Sequence, residues 1–222
     1  MRDEFRSFAT REMGVNQNGL ARYIRNNGRV FGLNTSIIKE DDLDDDYEPM
    51  NVFTRLMADR IIYFGETVTN DTADIVIAQL LYLNAVDKKT PIQMYINSPG
   101  GSVPAGLGIY DMMNHIDAPV HTTCTASAAS MGALLLSSGE RGHRSAFKHS
   151  SIMIHEVWGG FEGKYHDIES NTDHIRNLHD DTCKILAENT GKSIEEIVEA
   201  CRTDRWMRSS DALDFGLIDE IL

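Results

Sequence analysis

The stretch Ile92-Gln93-Met94-Tyr95-Ile96-Asn97-Ser98-Pro99-Gly100-Gly101 decides the fold of this 222-residue chain. Its first six residues are mostly apolar and predict a strand, and the Ser-Pro-Gly-Gly segment that follows predicts a turn. The residues after the turn predict a helix that ends near Ile116. The stretch therefore opens a β-turn-α unit.

The same order of strand, turn and helix recurs on both sides of this stretch. Upstream, the sequence predicts a strand at residues 60–64 and a helix at 72–86, capped by Asn70 or Asp71. Downstream, it predicts a strand at 120–124, a short helix at 131–136 and a strand at 152–155. Alternating strands and helices predict a layered α/β fold with crossover helices.

The two ends of the chain differ from this middle part. Residues 1–50 lack sustained periodicity and contain the acidic run 40–46, which lacks the glycine and the terminal glutamate of a calcium-binding loop. We predict an N-terminal extension there, partly mobile, and a single domain over 51–222. Near the other end, helices are predicted at about 166–188 and at 194–200.

Composition excludes several classes of function. A hydrophobic content of 41% and a charged content of 25% are ordinary for a globular protein. The formal net charge of -13 repels phosphate, so neither nucleic acid nor an anionic membrane is an expected partner. Three widely spaced cysteines without a C-x-x-C motif indicate buried thiols. The chain also has no apolar run long enough to cross a bilayer. Together, the cysteines and this absence predict a cytoplasmic protein.

One serine is a candidate nucleophile. Small residues at 125–129 lead into Ser130, and the sequence then turns helical. A serine at a strand-to-helix turn exposes its hydroxyl beside the N–H groups of the helix start, which acyl transfer requires. The alternative is that Ser130 only caps the helix, a common role for serine.

Two backbone N–H groups near this turn can stabilise negative charge. The turn Pro99-Gly100-Gly101 supplies one of them, and Met131 supplies the other at the start of the helix. Together they can form an oxyanion hole for a developing negative charge. The alternative is a tight turn in which the glycines only relieve backbone strain.

A serine hydroxyl needs a base, and eight histidines compete for this role. His155 stands out because it ends an apolar strand directly before a loop containing Gly159-Gly160. The alternative is a strand-end histidine bonded to a backbone carbonyl. Most other histidines lie in polar stretches and are interpreted as surface residues, namely His143, His149, His166, His174 and His179.

The third member of such a site is a carboxylate that orients the imidazole. Asp204 is a candidate because it follows a helix, in a connection where a side chain can be partly buried. Its alternative role is a surface ion pair with Arg205. Spacing alone does not choose among Asp173, Asp180, Asp181, Asp204, Asp211, Asp214 and Asp219.

The chain resembles the Clp protease proteolytic subunit family, the ring-forming serine peptidases of the crotonase-like fold. The resemblance covers roughly residues 50–222 and implies an α/β fold of repeated β-turn-α units with a helical handle at about 161–188. The matching segments, in family order, are Tyr95-Ile96-Asn97-Ser98-Pro99-Gly100-Gly101, Ala128-Ala129-Ser130-Met131-Gly132-Ala133, Met153-Ile154-His155, Gly159-Gly160 and Thr203-Asp204-Arg205-Trp206.

The resemblance also implies a role for each candidate residue. Ser130 is expected to be the nucleophile, His155 the general base and Asp204 its orienting carboxylate. Gly101 and Met131 are expected to donate the N–H groups of the oxyanion hole. The implied assembly is two stacked seven-membered rings around a chamber, in which unfolded polypeptides are cut to short peptides. A separate AAA+ unfoldase uses the ATP, so the subunit itself is expected to need no cofactor and no metal.

The chain departs from the family pattern beside the histidine. Glu156-Val157 stand where the family has Gln-Pro, and Ala126 stands where a glycine or similar residue often precedes the Ala-Ala-Ser triplet. If the strand continues, Glu156 points to the face opposite His155, and catalysis survives with a changed substrate lining.

Other departures concern partners. The apolar positions of the family's unfoldase-docking pocket fall on Gln93, Thr123 and Ser145, which puts docking to the usual unfoldase in doubt. A charged pair that links the rings in many members falls on Arg202-Thr203, without its acidic partner. We therefore hypothesise a divergent paralogue that depends on a second subunit type or an unusual unfoldase. Residues 1–50 are a propeptide, an axial gate or an inert arm.

Two other functions compete with an active peptidase. A catalytically silent ring subunit would serve an active paralogue, and the altered docking positions keep this alternative open. A crotonase-type acyl-CoA hydratase or isomerase would share the layout and the oxyanion hole. That enzyme would need a glutamate acid/base, however, and Ser130 and His155 argue against it.

Overall fold

The computed structural model describes residues 7–18, 20 and 52–222. A π-helical turn, Phe8–Glu12, comes first. The helices that follow are α1 (Val52–Ala58), α2 (Asn70–Val86), α3 (Val103–His115), α4 (Met131–Ser137), α5 (Tyr165–Thr190), α6 (Ile194–Cys201) and α7 (Ser209–Phe215). The strands are β1 (Ile61–Phe64), β2 (Ile92–Ser98), β3 (Val120–Ala129), β4 (Arg144–Ala146), β5 (Ser151–Ile154), β6 (Arg205–Arg208) and β7 (Glu220–Ile221).

The strands of the described residues form one sheet. Its main order is β1-β2-β3-β4-β7, and β5 pairs with β3 while β6 pairs with β5. Every pairing is parallel except that between β5 and β6, which is antiparallel. Parallel neighbours connected through helices agree with the layered α/β arrangement that the sequence predicts.

Helix α2 shows how local sequence sets the boundaries of an element. The Thr69 hydroxyl accepts the Thr72 N–H at 3.2 Å, and the Thr72 hydroxyl accepts the Thr69 N–H at 2.9 Å. This reciprocal cap satisfies two N–H groups that have no partner inside the helix. The predicted cap, Asn70 or Asp71, is wrong because Asn70 is already the first helical residue.

Strand β3 carries the candidate nucleophile at its end and is longer than predicted. Residues 122–124 pair with β4, whereas residues 127–129 pair with β5. The predicted strand stops at residue 124 because the small residues that follow have little strand propensity. In the structure the strand continues to Ala129, so Ser130 stands directly at the carboxyl end of a central strand.

The part of the chain after α4 adds elements that the sequence analysis does not predict. Strands β4, β6 and β7 are two to four residues long, and their patterns are too short to recognise. The long helix α5 begins at Tyr165, so the first residues of the predicted handle segment, 161–164, precede it. The antiparallel strand β6 brings the connection after α6 beside the end of β5.

Part of the N-terminal extension packs on the domain. Ala9, Val15 and Leu20 are buried in the hydrophobic core, and the ring of Phe8 lies 5.9 Å from that of Tyr82 on α2. This segment is therefore attached to the domain rather than free of it. The acidic run 40–46 lies outside the described residues.

Two further findings concern the chemistry of the chain. None of the helices in the described ranges is long and apolar enough to cross a membrane. The cysteines Cys124, Cys183 and Cys201 are buried and carry free thiols. The thiols agree with the interpretation of the cysteines as reduced core residues.

Candidate active site

Ser130 occupies the turn between β3 and α4 in a strained backbone conformation. Its φ is 55° and its ψ is -124°, a region that non-glycine residues rarely adopt and that costs about 1–3 kcal/mol. The turn is held because the Ser130 N–H donates to the Met153 carbonyl at 2.8 Å, and the Ser130 carbonyl accepts the Ala133 N–H at 2.9 Å. Ser130 occupies the N-cap position of α4, but its side chain makes no capping hydrogen bond, so the hydroxyl does not have the capping role of the alternative interpretation.

Two glycines let the turns after β2 and β3 touch. A Cβ atom on Gly100 would lie 2.6 Å from both the Ser130 Cβ and the Ala129 carbonyl oxygen, and Gly100 has a φ of 85°. A Cβ atom on Gly132 would lie 2.9 Å from the Ser98 carbonyl oxygen. The glycines therefore do more than relieve backbone strain, because they permit the close approach that places the two turns side by side.

His155 lies within hydrogen-bond distance of the serine. It directly follows β5, which runs parallel to the end of β3, so the two strands end at the same edge of the sheet. The Nε2 atom of His155 lies 2.9 Å from the Ser130 Oγ atom. Its other ring nitrogen contacts a side chain, which contradicts the alternative of a bond to a backbone carbonyl.

Asp204 completes a chain of hydrogen bonds. Its Oδ1 atom lies 3.1 Å from the His155 Nδ1 atom, although 64% of the Asp204 side chain is exposed. The pairing of Arg205 with Ile154 across β6 and β5 brings Asp204 there. Among the ion pairs of the described residues, Asp204 pairs with His155 and not with Arg205, whose guanidinium lies 4.9 Å from the centre of the Phe215 ring.

Several of the other candidate aspartates have partners elsewhere. Asp219 pairs with Arg144, Asp173 with Arg176 and Asp181 with Lys184, while Asp211 accepts the Arg208 N–H at the start of α7. The structure thus brings together Ser130, His155 and Asp204, which spacing alone could not select.

The residues of the two predicted N–H donors line the same cleft as the serine. Gly101 and Met131 line a cavity together with Ser130. Because Met131 is the first residue of α4, its N–H has no acceptor within the helix. An anion beside Ser130 could therefore accept hydrogen bonds from backbone N–H groups of both turns.

The Gly100-Gly101 turn is fixed by contacts that the sequence analysis missed. The Ser98 hydroxyl accepts the Gly100 N–H at 3.2 Å and donates to the Glu66 carbonyl at 2.6 Å. The Val68 N–H donates to the Gly100 carbonyl at 2.8 Å. The only sequence sign of this role is that Ser98 ends β2 immediately before Pro-Gly-Gly.

The cleft beside the three residues has a volume of about 250 Å³ and a largely apolar wall. Its apolar lining includes Val103, Leu134, Met153 and Leu186. Glu156 is also among the residues that line the cleft, and the condition under which it was expected to face away from His155 is not met. The reason is that β5 ends at Ile154, and strand alternation no longer applies beyond it.

Two thiols in the same wall are poor nucleophiles. Cys183 and Cys201 line the cleft. Burial raises the pKa of both thiols, that of Cys201 to about 12. Because the thiolate is the reactive form, these cysteines stay protonated near neutral pH and do not compete with Ser130.

The polar side chains at the positions that depart from the family pattern find partners inside the subunit. Thr123 and Ser145 are buried, and their hydroxyls lie 2.8 Å apart. The Gln93 side chain contacts His121. Arg202 pairs with Glu199, 3.1 Å away, and both side chains are exposed.

Comparison with known proteins assigns the family. Residues 44–222 match the family described as Clp protease. The chain belongs to the Clp protease family. It is 43% identical over 220 residues to the "ATP-dependent Clp protease proteolytic subunit" of Bacteroides fragilis (strain YCH46), an alignment that covers 99% of this chain and 98% of that protein. It is 41% identical to the protein of the same description from Porphyromonas gingivalis, over 99% and 97% of the two chains.

A cyanobacterial relative matches a shorter part of the chain. The "ATP-dependent Clp protease proteolytic subunit 1" of Prochlorococcus marinus (strain MIT 9312) is 48% identical over 172 residues, or 78% of this chain and 88% of that protein. These findings confirm the predicted family, its crotonase-like α/β fold and the prediction of a serine endopeptidase that acts as a Clp proteolytic subunit. They give no support to the acyl-CoA alternative.

Proposed function

We propose that Ser130, His155 and Asp204 form the catalytic triad of this peptidase. The observation that carries the proposal is the continuous chain of contacts from the Ser130 Oγ atom through the His155 ring to the Asp204 carboxylate, at 2.9 Å and 3.1 Å. In this geometry His155 removes the serine proton as the hydroxyl attacks a peptide carbonyl. Asp204 holds the ring and stabilises the imidazolium that forms.

The oxyanion is assigned to the N–H groups of Gly101 and Met131. They act on the charge that develops on the carbonyl oxygen, and each such donor contributes about 2.7–4 kcal/mol in comparable sites. His155 then protonates the leaving amine, and a water molecule, deprotonated by the same ring, hydrolyses the acyl-enzyme. These steps use the named protein groups and one water molecule.

The proposal extends to assembly and substrate. We assign the chain to a double seven-membered ring that encloses the active sites and is served by a separate Clp ATPase, in keeping with relatives described as ATP-dependent subunits. The substrate is an unfolded polypeptide, whose side chains the apolar wall of the cleft can bind. Buried free thiols favour a cytoplasmic site of action.

The N-terminal extension belongs to this proposal as well. The alignment over 220 residues with the Bacteroides protein takes in most of residues 1–50, so an extension of this length also occurs in that relative. We assign residues 1–50 to an axial segment or a propeptide at the edge of the peptidase domain, 51–222. The burial of Ala9, Val15 and Leu20 favours an attached segment over an inert arm.

A dependent or silent subunit is the second candidate function. Its support is the polar character of Gln93, Thr123 and Ser145. A hydrophobic anchor of an unfoldase would gain little binding energy there, because the Thr123 and Ser145 hydroxyls are already paired with each other. Such a subunit would assemble with an active paralogue or take an unusual unfoldase.

One experiment separates these functions. The purified full-length chain is treated with a fluorophosphonate probe, and intact mass and native mass are recorded for the same sample. We expect one probe per subunit in the wild type and in the matched control Ser127→Ala, and none in Ser130→Ala. Cleavage of a fluorogenic peptide by pure Ser130→Ala would contradict the nucleophile assignment. An assembled ring that takes no probe would favour the silent subunit.

A further inference from the structure

A second cluster of reactive side chains lies at the opposite end of β3 from the triad. His121, Glu140 and His143 each offer a ligand atom, and these atoms all lie within 4.8 Å of one another. Nine residues of strand separate His121 from Ser130, or about 30 Å at roughly 3.3 Å per residue. The cluster is therefore independent of the catalytic chemistry.

Side-chain contacts already bring the three groups together. The His121 Nε2 atom lies 2.9 Å from a Glu140 carboxylate oxygen. The rings of His121 and His143 stack with their centres 4.0 Å apart and their planes 5° from parallel. Two imidazoles and a carboxylate are thus neighbours at one end of the sheet, with the two rings stacked on each other.

The backbone around the cluster is anchored rather than loose. The Glu140 N–H donates to the Val120 carbonyl at 2.8 Å, and the His143 N–H donates to the Glu140 carbonyl at 2.9 Å. The loop between them is fixed by Asp219, whose carboxylate accepts the Gly142 N–H at 2.8 Å. Pre-organised ligands lose little conformational entropy when an ion binds.

We propose that His121, Glu140 and His143 bind one divalent first-row transition ion, such as Zn²⁺. Imidazole nitrogen suits these metals, whereas Mg²⁺ and Ca²⁺ prefer oxygen ligands alone. Ligand atoms on a tetrahedral Zn²⁺ lie roughly 3.3 Å apart. Because the lone pair of an imidazole nitrogen lies in the ring plane, the exposed His143 ring must turn out of its stack on His121 to bind the same ion. The fourth position is open to water, because Glu140 and His143 face solvent.

Gln93 supports the proposed site from behind. Its amide lies 3.2 Å from the His121 Nδ1 atom. Metal binding at Nε2 requires the proton of the neutral ring to sit on Nδ1, and a half-turn of the amide presents the Gln93 oxygen to accept that proton. A partner of this kind orients a histidine ligand and is worth about 10–100-fold in metal affinity.

The test is a binding titration of the metal-free, full-length protein with Zn²⁺, followed by Co²⁺ as an absorbing probe. We expect one ion per chain with a visible Co²⁺ spectrum, and a raised midpoint of thermal unfolding when Zn²⁺ is present. His143→Ala and Glu140→Gln should each weaken binding by more than about 100-fold, since ligand loss exceeds the loss of an orienting partner. Gln93→Ala should weaken it by about 10–100-fold.

Two control variants test whether a histidine outside the cluster binds the ion. His149→Ala removes an exposed histidine outside the cluster and should leave binding unchanged, and His155→Ala tests whether the triad takes the ion instead. Two results would overturn the proposal: no binding at millimolar Zn²⁺, or binding that survives both His121→Ala and His143→Ala in folded protein. Serine-probe labelling should be the same in His143→Ala as in the wild type, because the two sites are far apart.

Discussion

The Ser130 turn, residues 129–132, and the Asp204 connection, residues 202–204, contribute to the same hydrogen-bonded chain in opposite ways. Ser130 is held by backbone hydrogen bonds and by a glycine packed against it, in a strained conformation. The Asp204 side chain is 64% exposed and meets the site through its contact with His155. Ser130 is therefore positioned by the fold, whereas the Asp204 carboxylate depends on an exposed connection.

The largest effect on the labelling rate is expected at the exposed Asp204 connection. Asp204→Asn should lower the rate of fluorophosphonate labelling by about 10⁴-fold, because an amide favours the wrong tautomer of His155 and cannot stabilise its charged form. The measurement is the labelling rate by intact mass over time. Thermal unfolding should change little, since the Asp204 side chain is mostly in solvent.

The control for this substitution carries the same change of charge. Asp214→Asn alters an exposed aspartate of α7 that has no contact with the triad, and it should label at the wild-type rate. If Asp204→Asn slows labelling by less than tenfold, water or another group orients His155, and the exposed connection is dispensable for the chemistry.

The Ser130 turn should be broken by one added carbon. Gly100→Ala places a Cβ atom 2.6 Å from both the Ser130 Cβ and the Ala129 carbonyl, so either the nucleophile or the Gly101 N–H must move. We expect labelling to fall by about 10²–10³-fold, the loss typical of one misplaced oxyanion donor. The same kinetic assay measures it, with circular dichroism to verify folding.

The control variant Gly191→Ala tests backbone strain without the steric clash that Gly100→Ala introduces. Gly191 also has a positive φ, 74°, but a Cβ atom there would meet nothing within 4 Å. The control should lose some stability while its labelling rate stays at the wild-type level. Equal losses of labelling in the two variants would mean that strain, rather than contact between the turns, sets the position of Ser130.

The same contrast explains what the sequence could predict. The Ser130 turn could be predicted because its signals are local in the sequence. They are the small residues before Ser130 and the glycines at 100–101. Asp204 is chosen by the pairing of β6 with β5, about 50 positions from His155 in the chain, and no local pattern encodes that pairing. Only the family resemblance selected it from the other aspartates.

Other limits of prediction from sequence have similar physical origins. The orientation of Glu156 cannot be derived from strand alternation, because the end of the strand is set by tertiary contacts, here the bond from the Glu156 N–H to the Cys201 carbonyl at 2.7 Å. His143 is exposed, as predicted, yet it stacks on His121, which is 22 positions away. Contacts between distant segments are not visible in the composition of either segment.

The smallest effect is expected at the start of the Asp204 connection. Arg202 is already paired with Glu199 of its own helix end, in solvent, so Arg202→Ala should change the free energy of unfolding by less than about 1 kcal/mol. Denaturant unfolding measures this, and native mass spectrometry of the same samples measures assembly. We expect the distribution of assemblies to stay as in the wild type, because a guanidinium used within the subunit is not available to a facing ring. Conversion of double rings to single rings in Arg202→Ala would show that the intrachain pair opens on assembly. In that case the connection that carries Asp204 would also contribute to the contact between rings.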